Sequence, residues 1–489
     1  MAKQFYITTA IDYPSGAPHL GHAYEKACAD AIARWHRLLG EDVFFLTGTD
    51  EHGLKIQRAA EKAGRKPKEF VDMQVKAFDA LCSAWNISNN RFIRTTDKDH
   101  EKTAAELFAK VEKKGDIYKG QYSGLYCAEC ENFYVERDLE NGNCPVHKKK
   151  CDTVKEESYF FKMGTYYPQL LELYKKNKTF VAPAGKKLEM ENRLKQGLRD
   201  LSVSRTSLKW GIPLPNDKAH VMYVWFDALT NYVSGAKTKT KNYWPADIHL
   251  IGKDILWFHS VIWPAMLFAG GLEQPKQIFV HGFINTEAGE KMSKSRGTVI
   301  DPIALAEKYP SDALRYFLLR EIPFGEDGNF SEAELIKRIN NELANDLGNL
   351  LNRTIVMVDK YFAGKVPKGE TDAALKKSLA LGEIEQHMQN LELHLALNKI
   401  FTFVNACNAF INEKEPWKLK GRELENVLYS LADSLRIISI LISPFMPEAN
   451  REINAQLGVK AGLLNDCKFN LLPAGTKVKK GKVLFKKIE

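Results

Sequence analysis

The chain has 489 residues, 44% hydrophobic and 27% charged, a folded profile too long for one core, so roughly two to four domains are expected. Its net charge of +9 is compatible with a polyanionic partner or with solubility alone, and eight cysteines without framework spacing exclude a secreted disulfide scaffold. No apolar run is long enough for a bilayer, and no signal peptide precedes the first strand-like segment, so no membrane association and a cytoplasmic location are expected. In chain order, "FYITTAI" reads as a strand, "DYPSGAP" as turn chemistry, and "HAYEKACADAIARWHRLLG" as a helix that stops at Gly40. "DVFFLTG" is a short buried-type strand, and this alternation predicts βαβ units in a parallel sheet. From Gly115 to Arg205 the rhythm breaks into short strands with a Cys/His cluster, as an insertion would. The α/β pattern returns with "HVMYVWFDAL", "DIHLIGKD" and "QIFVHGF". Long amphipathic helices follow: "SEAELIKRINNELANDLGNLLNRTIVMVDKYF", then, beyond the turn-rich "AGKVPKGETD", "ALNKIFTFVNACNAFINE" and "RELENVLYSLADSLRIISILI".

Three constellations carry chemistry. In "YPSGAPHLGHAYEKA", His19, Gly21 and His22 sit where a strand hands over to a helix, whose exposed N–H groups attract anions. Two ordinary histidines in a turn would read the same way. In "EAGEKMSKSRGTVID", Lys291 and Lys294 lie between Gly289 and Gly297, as in a solvated loop or in a mobile lid over phosphates. The third is "YCAECENFYVERDLENGNCPVHKKKC". Cys127 with Cys130, and Cys144 with His147, form two tight pairs of N/S ligands, the pattern of a closed tetrahedral site for one structural Zn²⁺; Cys151 is the alternative to His147.

HLGH and KMSKS together, each following a strand, resemble the two signatures of class I aminoacyl-tRNA synthetases. The resemblance narrows to the methionyl-tRNA synthetases through "TTAIDYPSGAPHLGH", "LTGTDEHGLKI", "YVWFDALTNY", "IGKDILWFHSVIWPAML", "KMSKS", "ELANDLGNLLNR" and "EPWKL". It implies a Rossmann-like α/β catalytic domain in two halves, 1–114 and 206–285, split by a zinc-knuckle insertion at 115–205. A lysine loop and linking region at 286–335 and an all-α anticodon-binding helix bundle at 336–489 complete it. The implied activity is ATP-dependent activation of L-methionine and its transfer to tRNA(Met), for translation initiation and elongation, with Mg²⁺ accompanying ATP. Adenylate formation is an in-line attack on the α-phosphate, so positioned donors and cations are what a protein contributes.

Carried over residue by residue, His19, His22, Lys291 and Lys294 are catalytic, and Gly21, Gly252, Asp254 and Lys294 meet ATP. Asp50 takes the α-ammonium, while Ile11, Tyr13, Trp225, Ala228, Leu229, Tyr232 and His259 surround the side chain. A thioether offers almost no hydrogen bonding, so shape and sulfur–aromatic contact must recognise it. Many relatives have "ALPY" or "PIYY" where this chain has "AIDY", so Asp12 is read as a variable place without a role. The insertion is too short for the editing module of the leucine, isoleucine and valine enzymes.

Asn345, Asn349 and Arg353 recur every four residues, and at 3.6 residues per turn they drift by only about 40° per step, so they share a face. With Trp417 as a stacking surface, this stripe suits unpaired anticodon bases. No further oligonucleotide-binding or dimerisation domain is recognised after it, so a monomer is expected. A cofactor adenylyltransferase of the same fold would explain neither the cysteine cluster nor the helical region, and a non-catalytic tRNA-binding relative would not be expected to keep both signatures.

Overall fold

The computed structural model describes residues 2–134, 136, 139–145, 148–292 and 297–489. Its centre is a six-stranded sheet. The first three strands are β1 (Gln4–Thr9), β2 (Asp42–Thr49) and β3 (Arg91–Arg94). The chain then builds β4 (Ile117–Cys127), β5 (Asn132–Tyr134) and β6 (Asp152–Phe161), followed by β7 (Val181–Ala182), β8 (Leu201–Ser202), β9 (Ser204–Arg205) and β10 (Val221–Met222). It closes the main sheet with β11 (Ile248–Gly252) and β12 (Gln277–His281). The order is β3-β2-β1-β11-β12-β7, and every pairing is parallel. Strands of such a sheet are covered on both faces, which is why β1, β2, β11 and β12 are almost wholly buried.

Period-two alternation divides β1 between two cores. Phe5 and Ile7 face the helix α1 (Leu20–Leu38), while Tyr6 faces the opposite side with Phe44 and Leu46. The order reverses at β1, with β2 on one side and β11 on the other, so a crevice opens at their carboxyl ends, where open α/β sheets bind ligands.

Between 115 and 205 the chain forms a four-stranded antiparallel sheet, β5-β4-β6-β8, built on β4 and β6 of 11 and 10 residues where short strands were expected. The span is not a detached unit, however. β7 lies inside it and pairs with β12, returning to the parent sheet. Its two residues are too short to be recognised by pattern.

The C-terminal region is helical, with long helices at Leu393–Lys414 and Gly421–Ile442. It shares one continuous buried cluster with the α1 face of the sheet, running from Phe5 to Phe485. Arg315 pins the junction. Fully buried, it pairs with Asp30 of α1 at 2.8 Å and donates to the carbonyls of Trp85, Pro444 and Phe445 at 2.9–3.2 Å. A buried guanidinium is tolerable only when its donors are satisfied in this way.

The helical run beginning at Glu332 is interrupted by a π stretch, Ile339–Gly348, before α-helix resumes at Asn349–Phe362. Its i→i+5 bonds widen the turn. Asn345 lies in the π segment, while Asn349 and Arg353 lie in the α-helix that follows.

Candidate functional site

The HLGH turn begins α1. His19 is its N-cap, in extended backbone geometry, and the His19 N–H donates to His22 Nδ1 at 3.0 Å. The two imidazoles stack at 3.7 Å. A Cβ on Gly21 would come within 3.1 Å of the His19 ring and press it out of its stacked position, which favours glycine here. The Leu20 N–H donates to the Ile300 carbonyl at 3.2 Å, which ties the turn to the backbone beyond the KMSKS segment.

Both signatures line one cavity of about 810 Å³ at the carboxyl ends of β1 and β11. His19, Gly21, His22, Gly252, Asp254 and Lys291 all border it, as do Ile11 and Tyr13. The Lys291 ammonium lies 4.4 Å from the Phe283 ring centroid, and Lys253 lies at the same distance from that ring. Lys294 lies outside the described residues.

Two groups on this wall were not anticipated. His281 Nε2 donates to Glu25 Oε2 at 2.8 Å and its Nδ1 to the Gly282 carbonyl at 2.7 Å, so both ring nitrogens act as donors. Burial opposes the charged ring, but Glu25 and the carbonyl outweigh it and raise the His281 pKa above the ordinary value. Glu25 and His281 stand 256 positions apart, and neither segment's pattern says that they meet.

Behind the cavity lies a packed cluster. Trp225, Ala228, Leu229, Tyr232 and His259 are all buried with Asp50, and none of the six lines the open cavity. Ile11 and Tyr13, half-buried, pack against the same core. Trp225 stacks on Phe258 at 3.7 Å, with an interplanar angle of 7°. Tyr232 OH donates to His259 Nε2 at 2.7 Å, and His259 Nδ1 donates to the Ile255 carbonyl at 3.0 Å. These bonds fix the neutral tautomer. Burial lowers the His259 pKa to about 4, so the pocket wall carries no charge there.

Asp50 is the exception. Burial, with Asp227 and Glu131 nearby, pushes its carboxyl pKa well above the usual range, and Oδ1 is buried with no hydrogen-bond partner. A buried acceptor left open beside two other acids is a site for a cation. Asp227 itself is held by His52 Nδ1 at 2.7 Å and His100 Nε2 at 2.6 Å, a network drawn from three separate segments and missed by pattern reading.

The cysteine cluster lies beside this pocket. The Sγ atoms of Cys127, Cys130 and Cys144 all lie within 4.8 Å of one another. Cys130 and Cys144 are separated by 3.8 Å. Tetrahedral Zn–S bonds place sulfurs about 3.8 Å apart, so the donor set fits a thiophilic metal. His147 lies outside the described residues, while Cys151 is buried in the same small cluster. The knuckle also braces the pocket: Trp225 Nε1 donates to the Cys130 carbonyl at 3.3 Å and Tyr223 OH to the Glu131 carbonyl at 2.6 Å.

On the helical region, Asn349 is exposed, and Asn345 and Arg353 are half-buried. Arg353 Nη2 donates to Asn412 Oδ1 at 3.0 Å, near the end of the helix Leu393–Lys414. Trp417 follows in a short 3₁₀ turn and is 49% exposed, unusual for so large an apolar side chain.

Known proteins match this arrangement over the whole chain. A family model described as tRNA synthetases class I (M) matches residues 5–154 and 135–355, and one for the anticodon binding domain of methionyl tRNA ligase matches 363–489. The methionine–tRNA ligase of Caldanaerobacter subterraneus subsp. tengcongensis is 48% identical, covering 100% of this chain and 80% of the relative. That of Bacillus subtilis is 44% identical, covering 99% and 78%. A Mycobacterium tuberculosis methionyl-tRNA synthetase solved in complex with methionyl-adenylate superposes with a TM-score of 0.94 at 42% identity, covering 99% of both chains. With both family models matched and near-half identity along its full length, the chain belongs to the methionyl-tRNA synthetase family of class I.

Proposed function

We propose that the protein is a methionine–tRNA ligase: it activates L-methionine with ATP, releases pyrophosphate, and passes the methionyl group to the 3′-terminal adenosine of tRNA(Met). The observation that carries this reading is the single cavity bordered by both the HLGH turn and Lys291. The methionine carboxylate attacks the α-phosphorus in line with the departing pyrophosphate, and negative charge grows on the phosphate oxygens. His19 and His22 at the helix N-terminus, with Lys291 and Lys294 of the lysine loop, stabilise that charge in this reading. Gly252 and Asp254 meet the ribose. A Cβ on Gly252 would lie 2.9 Å from Asp254 Oδ1, so a larger residue there would displace that carboxylate.

Asp50 receives the α-ammonium on its open oxygen, and the cation restores its ionised form. Trp225, Tyr232 and His259 then enclose a side chain that needs shape and polarisable contact more than hydrogen bonds. Because these residues are packed together, the reading requires Trp225 and its neighbours to part when methionine enters. Cys127, Cys130 and Cys144, with His147 as fourth ligand, would hold a structural Zn²⁺, which cross-links the insertion beside the pocket. Mg²⁺ arrives with ATP. Asn345, Asn349, Arg353 and Trp417 read the CAU anticodon.

No described helix is long and apolar enough to cross a membrane. The same reading has the protein working as a cytoplasmic monomer, which sedimentation of the purified chain tests. The decisive experiment is ATP–pyrophosphate exchange screened against all twenty amino acids. Exchange with methionine alone is expected; a different preferred amino acid overturns the reading.

A further inference from the structure

Asp12 stands at the edge of the nucleotide cavity, where pattern reading gave it no role. Its backbone is pinned between strand ends: the Asp12 N–H donates to the Gly48 carbonyl at 2.9 Å, and the Asp50 N–H to the Asp12 carbonyl at 2.8 Å. The side chain therefore has little freedom. Its Oδ2 is taken by the ammonium of Lys26, which is completely buried in α1 one turn beyond His22. Its Oδ1 lies 3.8 Å from His22 Nε2.

The orientation of His22 makes this contact informative. Nδ1 accepts the His19 N–H, so in the neutral ring the proton resides on Nε2, the edge facing Asp12. His19 stacks on one side of the ring, and Phe78 meets it edge-on at 5.5 Å. His22 itself borders the cavity. Other titratable groups among the described residues here are His19, which stacks on His22 and acts electrostatically on Asp12; Glu25, bonded to His281; Cys82, within electrostatic reach of Lys26; and Asp254, beyond His281.

A carboxylate at this position raises a difficulty, because the cavity is read as the seat of a triphosphate and like charges repel at close range. Lys26 resolves it by cancelling the charge locally. We propose that Asp12 and Lys26 form a charge-cancelled pair that positions His22: Asp12 orients the Nε2–H edge electrostatically across 3.8 Å, and Lys26 removes the repulsion a bare carboxylate would exert on the nucleotide. The inference rests on the cavity being the ATP site. Neither residue is catalytic; both act through His22 and through the field at the phosphates.

The test is methionine-dependent ATP–pyrophosphate exchange with the purified full chain, titrating ATP and methionine separately. In Lys26→Met the carboxylate is unmasked, and KM for ATP is expected to rise about 10-fold or more while KM for methionine stays within about 2-fold. In Asp12→Asn/Lys26→Met the charge is gone, so KM for ATP returns to near the parent value. Without its anionic brace His22 is misplaced, and kcat remains about 10-fold low. An unchanged KM for ATP in Lys26→Met, or equal rises in both KM values, overturns the proposal. Should Lys26→Met fail to fold, the neutral double variant decides alone: parental kcat overturns the proposal, and a low kcat with ordinary KM for ATP supports it. Absence of exchange in the unsubstituted chain would instead sink the ligase reading itself.

Discussion

The two halves of the candidate site are built on opposite principles. The cavity proposed for the nucleotide is open and charge-rich, bordered by His19, His22, Asp254, Lys291 and the Glu25–His281 pair. The neighbouring cluster proposed for methionine is packed and aromatic, with His259 held neutral and Asp50 carrying a buried carboxylate oxygen without a hydrogen-bond partner. A polyanion is best met by preformed donors in a space that is already there. A flexible thioether is best met by surfaces that close on it. Under the proposed function the difference follows from the chemistry of the ligands, and each half should fail in its own way.

The largest effect is expected on the charged side. Lys294→Ala should lower pyrophosphate exchange by about 10²–10³-fold. Its KM for methionine should be unmoved, because Lys291, which begins the same loop, borders the cavity and not the packed cluster. An equal loss in methionine affinity would dissolve the distinction between the halves.

The packed side should respond to acid. The folded pKa of His259, about 4, lies below the ordinary imidazole value of 6.5. Between those values the unfolded chain binds the extra proton. Stability from this site is therefore complete above pH 6.5 and lost as the pH falls toward 4, by up to about 3 kcal/mol. His249, buried beside Tyr232, is depressed in the same direction. Urea unfolding across that range should show the fall, and His259→Gln should flatten part of it. A flat profile in the unsubstituted protein would mean that the two imidazoles are not neutral.

Asp50→Asn sharpens the contrast further. Losing a charge-assisted bond to an ammonium costs about 1.5–3 kcal/mol, so KM for methionine should rise roughly 10- to 100-fold with KM for ATP little changed. Smallest is the effect of Trp417→Ala, which touches neither half. Loss of a base-stacking surface should lower aminoacylation of tRNA about 10-fold while exchange stays intact. Parallel loss of both activities would recast Trp417 as a structural residue.

Legibility in the sequence differed between regions for identifiable reasons. HLGH and KMSKS are local strings, each positioned by the strand before it, so both could be read and paired from the sequence alone. The cysteines were equally legible, because two ligands per knuckle sit close together and spacing carries the geometry. The helical region declared itself by periodicity, but the π stretch at Ile339–Gly348 did not, since no residue pattern marks it. The two-residue strand β7 escaped for the same reason: its pairing with β12 is a property of the sheet.

What the sequence determined by itself was the set of chemical parts: the two anion-seeking loops, the thiol knuckle, the aromatic side-chain candidates and the helical stripe. Tertiary structure alone decided which parts face one another. Glu25 meets His281, His52 and His100 converge on Asp227, and Asp12 with Lys26 stands against His22, each through contacts across strand ends or between elements far apart in the chain. Only tertiary structure, too, separated an open cavity from a closed cluster. Burial and electrostatic pairing depend on distance in space, and residue order constrains that distance only within a helix turn or a tight loop.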